Sequence, residues 1–247
     1  MRMNVKFTDS SADFKVGFGK EAALTEAGYL NGLDTKEKEF WGAITQRGAR
    51  KTYASAFANW DMPYIRPTYK IIPTSNTSQM FIRSSIKKLE SAYFDLSQIE
   101  RAATDATSYY YTCYNCTELE EIEDIGISPD FSFTYTFANC KKLHTIAKIT
   151  LGENDKMNNV FTQCNNLKNI RIEGTIGQSV SFAWSPLTVE SMKSIISCLK
   201  NYSGTDKDGT YTISFSSACW ASLGADSTAP DGNTWKDYVK YTLGWAI

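Results

Sequence analysis

The chain has 247 residues, 42% hydrophobic and 13% aromatic, enough to bury a sizeable core in one elongated domain or two small ones. Its 26 basic side chains against 27 acidic ones leave no basic face for a nucleic acid or an anionic membrane surface. No apolar run reaches the roughly 18 residues of a membrane span, and the opening from Met1 to Lys6 has no signal-peptide stretch, so a soluble protein that uses no cleaved Sec signal is expected.

Residues 1–33 are expected to form an N-terminal hairpin and attachment segment. Val5 and Phe7 alternate, as do Phe14, Val16 and Phe18, around the polar run from Asp9 to Asp13. A lone two-stranded hairpin is marginal in water. It is therefore expected to pack on another subunit or an assembly, or else to cover the first of the repeated units that begin at residue 53. Residues 34–52 predict a capping helix, with Asp34 or Thr35 as its N-cap, Phe40, Trp41 and Ile44 on one face and Gly48 as its stop.

Residues 53–187 carry a repeat. Cys116, Cys140 and Cys164 are 24 residues apart, and Leu119, Leu143 and Leu167 keep step with Ile122, Ile146 and Ile170. Cys113, Phe137 and Phe161 stand three positions before those cysteines, so the unit reads F-x-x-C-x-x-L-x-x-I. The phase extends to Phe57 with Trp60, to Phe81 with Ser84, and to Phe182 with Ser185. An insertion falls within residues 93–107 and the last unit is shortened, giving about six units. A period of 24 lies in the leucine-rich-repeat range. One such unit cannot bury its apolar stripe alone, but stacked units bury each other's. Ala147, Ile149 and Leu151, then Ile170 and Ile172, predict one short strand per unit, all parallel. The expected fold is α/β: a leucine-rich-repeat solenoid with short parallel strands, an N-terminal hairpin and helix cap, and a C-terminal α+β cap.

That C-terminal cap spans residues 188–247. Thr188 caps a helix with the buried stripe Met192, Ile195, Ile196 and Leu199, and Leu187 with Met192 occupies the hydrophobic-staple positions. After a turn at residues 204–209, Tyr211, Ile213 and Phe215 alternate as a strand. Cys219, Trp220 and Leu223 suggest a short helix. Asn233 or Thr234 starts another with Trp235, Tyr238 and Val239, ending near Gly244.

Several motifs are of residue types that can carry chemistry. Cys113 and Cys116 are spaced like half a zinc site, but zinc needs about four ligands and His144 is the sole histidine. The cysteines are read as small buried hydrophobes, free of disulfides, and no metal or cofactor is expected. His144 has no nucleophile motif beside it. Asp206, Asp208 and Gly209 do not keep calcium-loop spacing and are read as a solvated turn. Laying the units over each other pairs Tyr110 with Thr134 and Asn158, Tyr111 with Tyr135 and Asn159, and Tyr114 with Ala138 and Thr162. Columns that accept Asn and Thr are wet, so Tyr110, Tyr111, Tyr114 and Tyr135 form the candidate binding site; the alternative is that they pack on the insertion.

Phe57 to Trp60, Met80-Phe81 followed by Ser84 to Ile86, and Phe137 to Cys140 resemble the BspA-type leucine-rich repeats of bacterial surface proteins and of tail-associated proteins of gut Firmicutes phages. The segment from Leu187 to Trp245 resembles the usual close of such proteins, and Asn4 to Gly19 resembles the leader of many phage structural proteins. The resemblance implies a non-enzymatic binding protein of a phage tail or tail-like particle, with a virion or extracellular location. Its repeats would contact a bacterial envelope glycan or protein, and its N-terminal segment other tail or baseplate proteins or a second copy in a homo-oligomer. No nucleic acid and no membrane insertion are expected. The alternative is a secreted or surface-displayed bacterial adhesion module, against which the absent signal counts. A cell-wall-degrading enzyme is the third reading; it would use the acidic run Glu120, Glu121, Glu123 and Asp124, which is otherwise a solvated face.

Overall fold

The computed structural model describes residues 14–18, 39–44, 54–61, 63–67, 70–73, 76–99, 109–127 and 131–247. It is a mixed α/β chain with short parallel strands. Three strands, β1 (Phe14–Phe18), β2 (Glu39–Ile44) and β3 (Tyr64–Pro67), form one sheet in that order, β1 antiparallel to β2 and β2 parallel to β3.

This corrects the expected helix around Phe40, Trp41 and Ile44. Their spacing suits a helix face, but pairing along both edges of Glu39–Ile44 makes the segment a strand. Gly42 in mid-segment would cost a helix about 1 kcal/mol relative to Ala. Of the expected hairpin, Phe14–Phe18 is a strand whose described partner is β2; residues 4–13 lie outside the described residues.

The repeat residues build a four-stranded parallel sheet in the order β4 (Lys88–Leu89), β5 (Glu121–Ile122), β6 (Thr145–Leu151) and β7 (Asn169–Gly174). The column is kept in register: Leu89 pairs with Ile122, Ile122 with Ile146, and Ile146 with Ile170. Leu119, Leu143 and Leu167 are fully buried beneath it, as are Cys116, Cys140 and Cys164. Each such apolar side chain contributes roughly 1.5–3 kcal/mol of transfer free energy. The expected alternation Ala147, Ile149, Leu151 needs one correction. Between Ile146 and Ile149 the register shifts against Ile170 and Ile172, a bulge that turns Ala147 outward and returns Ile149 to the core.

The aromatic column forms a second ladder. Phe57 stacks on Phe81 at 5.5 Å, Phe137 on Phe161 at 5.9 Å, Phe161 on Phe182 at 4.7 Å, and Phe182 on Phe215 at 5.8 Å. Phe215 lies beyond residue 187, so the core runs without a break from the repeats into the C-terminal part.

There β8 (Val180–Phe182) pairs in parallel with β9 (Ile213–Phe215), and helix α1 (Val189–Ser197) is capped by Thr188, whose hydroxyl accepts the Ser191 N–H at 3.3 Å. Met192, Ile195, Ile196 and Leu199 are buried as their spacing predicts. Helix α2 (Ser217–Asp226) buries Cys219 and Leu223. Thr234 caps a short turn α3 (Trp235–Asp237) that widens into a π-helical turn, Tyr238–Thr242, before Gly244 at φ 70°. A Cβ on Gly244 would meet the Ser203 amide nitrogen at 2.6 Å, so this stop requires glycine.

Candidate functional site

The site begins with a backbone rule. Every non-glycine residue with positive φ among the described residues stands two before or two after the aromatic column. The pairs are Ser55 with Asn59, Gln79 with Arg83, Tyr111 with Asn115, Tyr135 with Asn139, and Asn159 with Gln163. Left-handed conformation costs an L-residue about 1–2 kcal/mol, least for Asn. Stacking offsets the cost. The N–H groups of four column residues reach carbonyls of the next unit: Phe57 to Met80 at 2.8 Å, Phe81 to Thr112 at 2.8 Å, Cys113 to Thr136 at 2.8 Å and Phe137 to Val160 at 3.1 Å. The residues two before and two after bond the same way, Tyr111 to the Thr134 carbonyl at 3.2 Å and Asn139 to that of Thr162 at 2.7 Å. The result is a wall of turns that repeats the same backbone positions from unit to unit.

The four candidate tyrosines meet on that wall, each half-buried. Tyr111 and Tyr135 stack with centroids 4.9 Å apart and planes 6° from parallel. Tyr110 stands edge-on to Tyr111 at 4.3 Å, Tyr114 edge-on to Tyr111 at 4.9 Å and to Tyr135 at 6.2 Å. Burial, with the Tyr110 hydroxyl bonded beside it, pushes the Tyr111 phenol up to about 12, so Tyr111 presents a neutral phenol at physiological pH. The Asn139 side-chain amide donates to the Asn115 side-chain oxygen, linking the next column of the wall.

The outward columns hold very little charge. In the three units around the tyrosines they carry Tyr, Thr, Asn and Gln, with Ala138 buried rather than wet as its column predicts, and Arg83 one unit earlier is the charged exception. One member was missed in the sequence. Trp184 follows Phe182 by two, in the column of Asn115, Asn139 and Gln163, and is 54% exposed. The Ser185 N–H donates to the Phe182 carbonyl at 2.9 Å, as Cys164 does to Phe161 and Cys140 to Phe137. That bond and the stacking of Phe182 on Phe161 carry Trp184 along the wall, although Val180–Phe182 is a strand and Trp184 is not among the left-handed residues. Its signal was the register itself, blurred by the shortening of that unit.

The other candidates have structural occupations. The thiols of Cys140 and Cys164 donate to the carbonyls of Cys113 and Phe137, both at 3.1 Å, and Cys116 to that of Phe81 at 2.8 Å. Only protonated thiols make these bonds. Burial holds Cys140 well above the usual thiol range and Cys164 up to about 12; the bond to Cys116, with burial, does the same to Cys113. Those three thiols are poor nucleophiles and poor metal ligands, while at Cys116 burial is outweighed by hydrogen bonds with Cys113, Cys140 and Ser84, which hold it below the usual thiol range. Among the described residues no group of three or more His, Cys, Asp or Glu side chains is placed to hold a metal.

His144 is exposed, its Nδ1 3.0 Å from the Thr145 hydroxyl, on an open depression of about 490 Å³ with Lys142, Lys168 and Asn169. The acidic run is tied into ion pairs along the sheet. Lys88 bridges Glu121 at 3.2 Å and Glu123 at 2.7 Å, and Lys148 holds Asp124 at 2.8 Å. The hydrogen bond from Lys88 and two from Ser91 lower Glu123 to about 2, and Lys148 lowers Asp124. A general acid needs a carboxyl kept protonated near neutral pH, the opposite of what these partners do. Asp208 accepts the Gly204 N–H at 3.1 Å and closes an exposed turn. No helix of the described residues is long and apolar enough to cross a membrane.

Neither a protein-family model, nor a curated protein, nor a solved structure matches this chain.

Proposed function

We propose that the chain is a leucine-rich-repeat solenoid of the BspA type that acts by binding, its turn wall contacting a component of the bacterial envelope. The observation that carries this reading is the cluster Tyr110, Tyr111, Tyr114 and Tyr135, gathered half-buried on a wall almost free of charge. Tyrosine supplies rigid contact area at small entropic cost, and such rings dominate recognition surfaces. The 24-residue register and the backbone bonds from unit to unit support the solenoid reading. The resemblance of the N-terminal leader supports carriage on a phage tail or tail-like particle, with residues 1–33 as the attachment segment.

Two measurements test it. The purified chain is mixed with isolated cell envelopes from a panel of gut Firmicutes and centrifuged. Co-sedimentation with at least one envelope is expected, reduced at least tenfold when Tyr111→Ala and Tyr135→Ala are combined. Equal sedimentation of parent and variant would remove the wall from the function. Mass spectrometry of induced particles tests the setting: fixed stoichiometry with tail proteins is expected, and recovery only from the secretome supports the adhesion module instead.

A further inference from the structure

We infer that the partner of the turn wall is an electrically neutral glycan chain of the envelope, laid across successive units from the tyrosine cluster toward Trp184. The inference rests on the wall being the binding surface.

Charge distribution points to a neutral partner. The sheet side of the same units is dense in ions: Lys88 with Glu121 and Glu123, Lys148 with Asp124 and Glu173. The wall has none between Tyr110 and Trp184 in its outward columns. An anionic polymer is held by cationic side chains facing its phosphates or carboxylates, and this wall supplies none there.

The polar groups that are present suit a sugar. Asn159 and Gln163, both exposed, carry amides that both donate and accept, and Thr134 and Thr162, half-buried, carry hydroxyls. A sugar hydroxyl also donates and accepts, so each group finds a counterpart without an unpaired charge. Between and beside them stand rings. The face of an aromatic ring is electron-rich, and the axial C–H groups of a pyranose are polarised positively and lie flat against it. Trp184, 54% exposed, offers the broadest such face.

Repetition favours a polymer. The Tyr111–Tyr135 and Phe161–Phe182 spacings of 4.9 and 4.7 Å show units at the interval of neighbouring strands. Across the wall the stacked rings step by 4.7 to 5.9 Å from unit to unit, so an extended chain laid along it meets the outward positions of one unit after another.

The test uses the envelopes that sediment the chain. One portion is oxidised with mild periodate, which cleaves vicinal diols; another is digested with protease; a third is challenged with excess soluble poly(ribitol phosphate). Binding lost to periodate, kept after protease and indifferent to the anionic polymer is expected, with Trp184→Ala weakening it at least tenfold while its circular dichroism stays unchanged. Binding that survives periodate, or that protease or the anionic polymer abolishes, overturns the glycan inference. In that event continued dependence on Tyr111 and Tyr135 leaves the wall itself standing. If the tyrosine variants bind like the parent, the wall reading falls and the glycan inference with it.

Discussion

The two long faces built by the repeat residues use opposite chemistry on one core. On the sheet side the strands send Lys88, Glu121, Lys148, Arg171 and Glu173 outward; Lys88 pairs with Glu121 and Lys148 with Glu173 across units, and Arg171 with Glu173 within β7. On the turn side, 24-residue copies of one left-handed turn send out Tyr, Asn, Thr and Gln. The sheet side satisfies its charges internally, so a partner would first have to break ion pairs. The turn side leaves ring edges, amides and hydroxyls only partly used. The contrast teaches that the surface with fewer charges is the better prepared for contact, because less must be undone to reach it.

The largest expected effect removes what both faces share. Phe137→Ala empties a site 1% exposed and stacked on Phe161, and should cost about 3–5 kcal/mol in chemical denaturation. A loss under about 1 kcal/mol would break the picture of one core supporting two faces. Next comes the turn backbone. Gln163 has φ 59°, so Gln163→Val should destabilise by about 1–2 kcal/mol while Gln163→Asn stays near neutral. Equal stabilities would show that the left-handed turn is not what shapes the wall.

The sheet face is tested by acid. The folded carboxyl of Glu123 lies at about 2 against an ordinary 4.5, so its contribution is complete above the ordinary value and is lost as pH falls from there through the folded value. Solvent screening of this partly exposed group reduces the contribution to about 1 kcal/mol. Glu123→Gln should therefore be less stable than the parent at pH 7, and the gap should close by about pH 2. Envelope sedimentation of that variant should match the parent, since the carboxylate is on the other face. The smallest effect on stability is a surface change at an exposed position of the wall. Asn158→Glu should stay within about 0.5 kcal/mol of the parent, yet lower envelope sedimentation by setting an uncompensated charge on the wall. Lys168→Gln, near the sheet, should leave sedimentation unchanged.

Much of this architecture is legible in the sequence. The Cys, Leu, Ile and Phe columns sit where the period placed them, because buried side chains repeat with the unit that buries them. The Thr188 cap and the stripe of α1 were readable for a similar reason, being local patterns. The bulge at Ala147 was not, since an extra residue in one strand is defined only against its neighbour. Phe40, Trp41 and Ile44 misled for the same reason: their spacing suits a helix face, and pairing with β1 and β3, distant in the chain, decided for a strand. The tyrosine columns were visible as alignments, but their mutual approach at 4.3 to 6.2 Å was not.

The sequence by itself determined the period, the buried columns, the Thr188 cap and the near absence of charge in the outward columns. Those follow from local spacing and from the rule that apolar side chains leave water. Only the tertiary structure decided that four tyrosines and a tryptophan share one wall. The tyrosines' placement depends on the left-handed turns, and those at residues 55–59, 79–83, 111–115 and 135–139 are held by hydrogen bonds to a neighbour 23 residues further on, or 31 where the insertion intervenes, whereas Trp184 follows the strand Val180–Phe182.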